Sequence, residues 1–112
     1  MLNIELVDGA AEAILALPPE GRGPGVLFVM DAFGLRPRIQ EMAERIAGWG
    51  YVVLAPNVFH ADGTVAELAA PAGEPPRWED VAPRVARLSG AAVALDIDGY
   101  VAALRALPAV GD

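Results

Sequence analysis

The chain of 112 residues contains one serine (Ser89), one threonine (Thr64), one histidine (His60), and neither cysteine nor lysine. A Ser-His-Asp triad could be built only from Ser89, His60 and an acid. However, "RLSGAAV" is not the G-x-S-x-G elbow that exposes a nucleophile on a strained strand-to-helix turn. Ser89 therefore reads as a loop or cap residue. His60 ends "APNVFH", just beyond an apolar run, where open α/β sheets meet their ligands. No orienting acid stands at a matching spacing, so the plainer reading is a surface imidazole packed beside Phe59. Asp96 and Asp98 fall on different faces of a helix or at its cap, a structural pattern. A lone histidine and no cysteine leave no metal-ligand spacing, and "ADG" is far too short for a calcium loop. Neither G-x-G-x-x-G nor G-x-x-x-x-G-K-[ST] occurs, so dinucleotide and P-loop chemistry lack their backbone cradle, and no cofactor is expected. What remains is Asp31 in "GVLFVMDAFGLRP", a single carboxylate closing an apolar run. It could cap the loop or the following helix, or it could be a site acid at the C-terminal end of a parallel strand; its neighbours leave both open.

The elements that would position these residues follow from periodicity. Leu2, Ile4 and Leu6 alternate with other residues, as do Ala11, Ala13, Leu15 and Leu17, and Asp8-Gly9 suits a two-residue turn, giving a hairpin over 1–17. "PPEGRGPG" cannot continue a strand. Val26 to Met30 is continuously apolar, the pattern of a strand covered on both faces. Pro37 suits the first position of a helix whose stripe, Ile39, Met42, Ala43, Ile46 and Trp49, places Trp49 in the core. Glu41 and Arg45 have the spacing of a helical ion pair, and Gly50 is the expected stop. Tyr51 to Leu54 is a second apolar strand, completing a βαβ unit over 25–55. Residues 57–76 read as an irregular excursion with a short helical turn near Val65 to Ala69. Helices are expected over 78–107. The first carries Trp78, Val81, Val85 and Leu88, with Pro83 imposing a late start or a kink. The second carries Ile97, Tyr100, Val101, Leu104 and Leu107, with Asp96 or Asp98 near its start and Pro108 closing it. The fold class is α/β, with an N-terminal β-hairpin followed by a βαβ unit and further helices in a single domain.

Composition narrows the partners. Hydrophobic residues make up 54% of the chain, ample apolar surface to offset the entropy of ordering it. The net charge of −7 sets 15 acids against 8 bases, all arginine and unclustered, which argues against nucleic acid and against an anionic membrane surface. No stretch approaches the ~20 apolar residues of a membrane span, and no basic, apolar leader opens the chain, so the expected location is cytoplasmic.

Taken together, "GPGVLFVMDAFGLRPRIQEMAERIAGWGYVVLAPNVFH" resembles the N-terminal half of the dienelactone hydrolase family, a branch of the α/β-hydrolases. An apolar strand, an acid followed by a small residue, an aromatic-Gly pair, a helix ending in Gly-Tyr and a strand closing on Pro-Asn occur in the family's order. The resemblance implies ester or lactone hydrolysis by a Cys or Ser nucleophile with an Asp and a His. It makes Asp31 the accessory acid of this loop, a place usually held by the longer Glu. It assigns the Ala32 backbone N–H to the oxyanion hole, and makes Phe33 and Gly34 the substrate-side shape of the loop. The arginine that some members place after the second strand to hold a substrate carboxylate has no counterpart in "FHADG", which offers His60 as a further substrate contact. The family's nucleophile strand should follow the last helix, and "PAVGD" looks like its run-up. The expectation is thus a partial α/β-hydrolase sheet lacking the nucleophile strand and everything after it, inactive alone, and able to take a small ester or lactone once completed. In the family's strand order the missing strand lies against 26–30, so self-association through that exposed edge is expected. The alternatives are a half-domain that pairs with itself or a complementary chain, and a small flavodoxin-like ligand-binding domain.

Overall fold

The computed structural model describes residues 1–7, 9–71 and 73–111. Its elements in chain order are β1 (Leu2–Leu6), β2 (Gly9–Ala16), β3 (Gly25–Leu27), α1 (Pro37–Ala47), β4 (Val52–Pro56), α2 (Val65–Leu68), α3 (Trp78–Arg87) and α4 (Gly90–Ala106). One sheet has the order β1-β2-β4-β3. β1 and β2 form an antiparallel hairpin closing with Leu6 opposite Gly9; Asp8 of the expected turn lies outside the described residues. β2 pairs antiparallel with β4, and β3 pairs parallel with β4 across the α1 connection.

Alternation along the strands divides the core between two faces. Ile14, Ala16, Val53 and Ala55 face α1, where they pack with Ile39, Ala43 and Ala47. Ala11, Ala13, Val52 and Leu54 face α4, where they pack with Tyr100 and Leu104. β4 is buried along its whole length because both of its faces and both of its edges are covered.

The strand expected over 26–30 is shorter, and the register gives the reason. Val52 N–H donates to the Pro24 carbonyl and Phe28 N–H to the Leu54 carbonyl. The next bond of this ladder would be donated by residue 56, a proline with no N–H, so Val29 and Met30 leave the sheet. On the outer side of β3, Gly23 N–H donates to the Ala109 carbonyl and Gly111 N–H to the Gly23 carbonyl, a parallel bridge at Gly23. Among the described residues, Gly25 and Leu27 have no partner strand on that side. Glycine is required at position 23, since a Cβ there would overlap the Gly50 carbonyl oxygen.

Several helical details differ from the sequence expectation. Pro37 opens α1 after the cap residue Arg36, but the helix ends at Ala47, and its buried face is Ile39, Ala43 and Ala47. Trp49, beyond that end, is 69% exposed rather than core because the helical phase no longer governs it. Gln40 bonds Glu44 at 2.8 Å, whereas Glu41 and Arg45 form no ion pair among the described residues. α3 runs through Pro83 from Trp78, with the one N–H that Pro83 lacks lost on a largely exposed helix. α4 begins at Gly90, so Asp96 and Asp98 sit well inside it rather than near its start. Among the described residues, no helix is long and apolar enough to cross a membrane.

Candidate functional site

The loop leaving β3 is built from its own residues. Asp31 Oδ1 accepts the Phe33 N–H at 3.0 Å, an Asx turn, and the Asp31 carbonyl accepts the Gly34 N–H at 3.2 Å. Gly34 has φ +89°, which an L side chain would strain to adopt, so the loop can reverse here only with glycine. The Arg36 guanidinium grips the same carboxylate as a fork, at 2.5 Å to Oδ1 and 2.8 Å to Oδ2. It also stands 5.7 Å over the Phe33 ring, which meets Trp78 of α3 edge-on at 6.4 Å. Hydrogen bonding from Arg36 holds the Asp31 carboxyl below the usual carboxylate range; slight burial opposes this, and the Phe33 N–H reinforces it. Asp31 is thus an ionised, anchored carboxylate whose side chain is half exposed. Between it and Phe33, the Ala32 N–H has no acceptor among the described residues.

The loop leaving β4 is built differently. Asn57, only 2% exposed, accepts the Phe59 N–H at 3.1 Å and donates to the Gly63 carbonyl at 3.2 Å. His60 Nε2 lies 2.9 Å from Asp96 Oδ2, with both side chains largely buried. Asp62 takes a hydrogen bond from Arg87 at 2.6 Å. The orienting acid that sequence spacing did not offer for His60 is therefore Asp96, 36 residues away and one turn before Tyr100 on α4. Burial, with Asp96 adding to it, pushes the Tyr100 hydroxyl up to about 12, and among the described residues that hydroxyl has no hydrogen-bond partner.

A cleft of about 930 Å³ opens at this end of the sheet, lined by Phe33 and Gly34 of the first loop, Asn57 and Phe59 of the second, and Val65 and Leu68 of α2. Of the sequence-derived candidates, Asp31, Ala32, Phe33 and Gly34 sit in one loop, but only Phe33 and Gly34 reach the cleft wall. His60 is turned instead toward α4. Both aliphatic hydroxyl side chains are helix caps: Thr64 Oγ1 accepts the Glu67 N–H of α2 at 3.1 Å, and Ser89 Oγ accepts the Ala92 N–H of α4 at 3.1 Å. Among the described residues, no group of three or more His, Cys, Asp or Glu is arranged to hold a metal. Asn57 and Asp96 organise this loop, and the sequence does not single out either for that role. The Pro-Asn pair after β4 carried a turn signal for the first, but no local signal marked the second.

An α/β sheet with its loops gathered at the C-terminal ends of a parallel pair defines the class, and the comparisons narrow it. Residues 11–111 match the model of the Dienelactone hydrolase family, and the chain belongs to that family. A protein of Methylorubrum extorquens provisionally named carboxymethylenebutenolidase is 35% identical over 68 residues, 60% of this chain and 23% of the relative. A carboxymethylenebutenolidase of a Pseudomonas species is 36% identical over 55 residues, 49% of this chain and 23% of the relative. The crystal structure of a Klebsiella pneumoniae protein provisionally named dienelactone hydrolase superposes on 97% of this chain with a TM-score of 0.71 at 25% identity. This chain covers 43% of that structure, and its matched segments span under a quarter of the curated relatives.

Proposed function

We propose that these residues supply the accessory-acid and oxyanion loop of a carboxylic ester or lactone hydrolase, and that they do not turn over substrate by themselves. The observation that carries this reading is the Ala32 N–H, unengaged among the described residues and held beside the Arg36-anchored Asp31 at the C-terminal end of β3. A backbone donor fixed before reaction stabilises the charge that develops on an acyl oxygen without reorganising at that moment. Acyl transfer also needs a nucleophile paired with a base. Here the only serine and the only threonine cap helices, and the only histidine is bound to Asp96. Asp31 and Ala32 are given their family roles, with Phe33 and Gly34 as the substrate-side wall and His60 as a structural tie rather than a contact. The test is hydrolysis of p-nitrophenyl acetate by the purified chain. The expected rate equals that of the Asp31→Ala variant. Saturable turnover abolished by Ser89→Ala or His60→Ala would overturn the reading.

Among the described residues, the outer edge of Gly25 and Leu27 carries no partner strand, which favours a second reading, in which this chain pairs through β3 with a complementary strand or a second copy. Light scattering after size exclusion should find a self-associated species. A cooperatively melting monomer across the micromolar range would contradict it.

A further inference from the structure

We infer that the outer face of α4 is a docking surface for a second copy of this chain, the two α4 helices packing antiparallel about a two-fold axis. α4 carries three charged side chains in 17 residues, and a helix this apolar around its circumference is ordinarily covered on all sides. Here one side is covered: Tyr100 and Leu104 are buried against Ala11, Ala13, Val52 and Leu54 of the sheet. On the opposite side Ala91, Leu95, Asp98, Ala102, Arg105 and Ala106 fall in one stripe at helical spacing, and all are exposed, Leu95 by 45%. α1 shows the usual solvent-facing pattern in this chain, with Arg38, Glu41, Glu44 and Arg45 exposed on a helix of 11 residues.

The two charges in the stripe select the occupant. Asp98 and Arg105 stand two turns apart, on the order of 10 Å along the axis, too far to pair with each other. Among the described residues, neither forms an ion pair. A two-fold axis beside Ala102 sets each Asp98 across from the other copy's Arg105, so one pair of opposite charges on the chain becomes two contacts in the dimer. A parallel copy would set Asp98 beside Asp98 and Arg105 beside Arg105, and like charges reject it. Ala102 at the crossing lets the helices approach closely, while Leu95 on either side of the axis supplies apolar burial. One pair of helices buries less than the ~800 Å² per partner of a standard interface, so the dimer is of micromolar strength. This surface is not the outer edge of β3, and it needs nothing from the hydrolase reading.

The experiment is light scattering of the 112-residue chain across the micromolar range, combined with cross-linking. Each copy carries −7, so it is run at ~0.15 M salt, where a Debye length of about 8 Å screens the long-range repulsion more than the contacts. The unmodified chain should show a monomer–dimer equilibrium. Asp98→Arg brings like charges together at both contacts and should weaken the dimer at least about tenfold. Combining Asp98→Arg with Arg105→Asp rebuilds both pairs in reverse and should restore it. The chain has no cysteine, so one introduced thiol reports the geometry. Under mild oxidation Ala102→Cys, next to the axis, should cross-link, whereas Ala91→Cys, with its two copies on the order of 30 Å apart, should not. A chain that stays monomeric to about 200 µM overturns the assignment. So do equal cross-linking at both positions, a double variant that does not recover, and association that survives Asp98→Arg, which would belong to the edge of β3. Should Asp98→Arg fail to fold, the contrast between the two cysteine variants decides. A failed hydrolase test leaves every one of these readouts unchanged, so the two readings fail separately.

Discussion

Two loops leave the C-terminal ends of the parallel strands side by side, each turned by an Asx residue, but only the second carries side-chain hydrogen bonds to the helices. The loop after β3 closes on itself, with Asp31 bound by Phe33 and Arg36 no more than five residues away. The loop after β4 is tied from outside: Asp96 of α4 holds His60, Arg87 of α3 holds Asp62, and the Glu12 carbonyl of β2 accepts the Asn57 N–H. The first draws its hydrogen bonds from within itself, which would suit the donor role proposed for Ala32. The second adds ties to α3 and α4 to the bonds that Asn57 makes within it, so it couples the cleft to those helices.

Removing the core of the second loop should have the largest effect. Asn57→Ala leaves a buried Phe59 N–H and the Gly63 carbonyl unpaired, a loss of ~2–3 kcal/mol, or a fall in melting temperature of roughly 10 °C or more. A loss below about 0.5 kcal/mol would place the order of this loop elsewhere. A double-mutant cycle on His60→Ala and Asp96→Ala should give a coupling of ~1 kcal/mol, because both side chains are largely withdrawn from solvent. The same cycle on Asp31 and Arg36 should give only ~0.5 kcal/mol, since water screens that half-exposed pair.

Tyr100→Phe should raise stability by ~0.5–1 kcal/mol by removing a buried hydroxyl that has no partner among the described residues. It should also change the alkaline limb. The folded value near 12 lies above the ordinary tyrosine value of about 10, so the native state is favoured below pH ~10, and that advantage is lost as pH rises toward 12. The variant's melting temperature should not show this loss. The smallest effect is at acid pH. The Asp31 carboxyl is held low in the folded chain, so its contribution is present above the ordinary value of about 3.9 and lost as pH falls through the lowered one. The melting difference between the unmodified chain and Asp31→Asn should therefore vanish under acid conditions.

The same contrast explains what could be read from the sequence. Strand alternation in Leu2 to Leu6, the apolar run of β4 and the Pro37 helix start are signals carried by neighbours, and the α/β fold with its hairpin and βαβ unit follows from them. Asp31, with a turn glycine three residues on and an arginine five residues on, belongs to the same kind. The His60–Asp96 and Asp62–Arg87 ties span 36 and 25 residues, and no periodicity encodes such pairs. Trp49 shows the limit from the other side. Its place in the stripe assumed a helix two residues longer than α1, and a glycine at position 48 capped it first. The early end of β3 depended on register with Pro56, which only the sheet reveals.

The central claim, that the β3 loop offers an oxyanion donor awaiting a nucleophile from outside these residues, is tested most directly by complementation. The chain would be mixed with a C-terminal segment of a dienelactone hydrolase relative carrying a G-x-[CS]-x-G elbow, and hydrolysis of p-nitrophenyl acetate followed. The account predicts turnover only on mixing, and a fall in kcat of about 10²-fold when Ala32→Pro deletes the donor N–H while the melting temperature is kept. Turnover by the 112-residue chain alone, or mixed activity indifferent to Ala32→Pro, would contradict it.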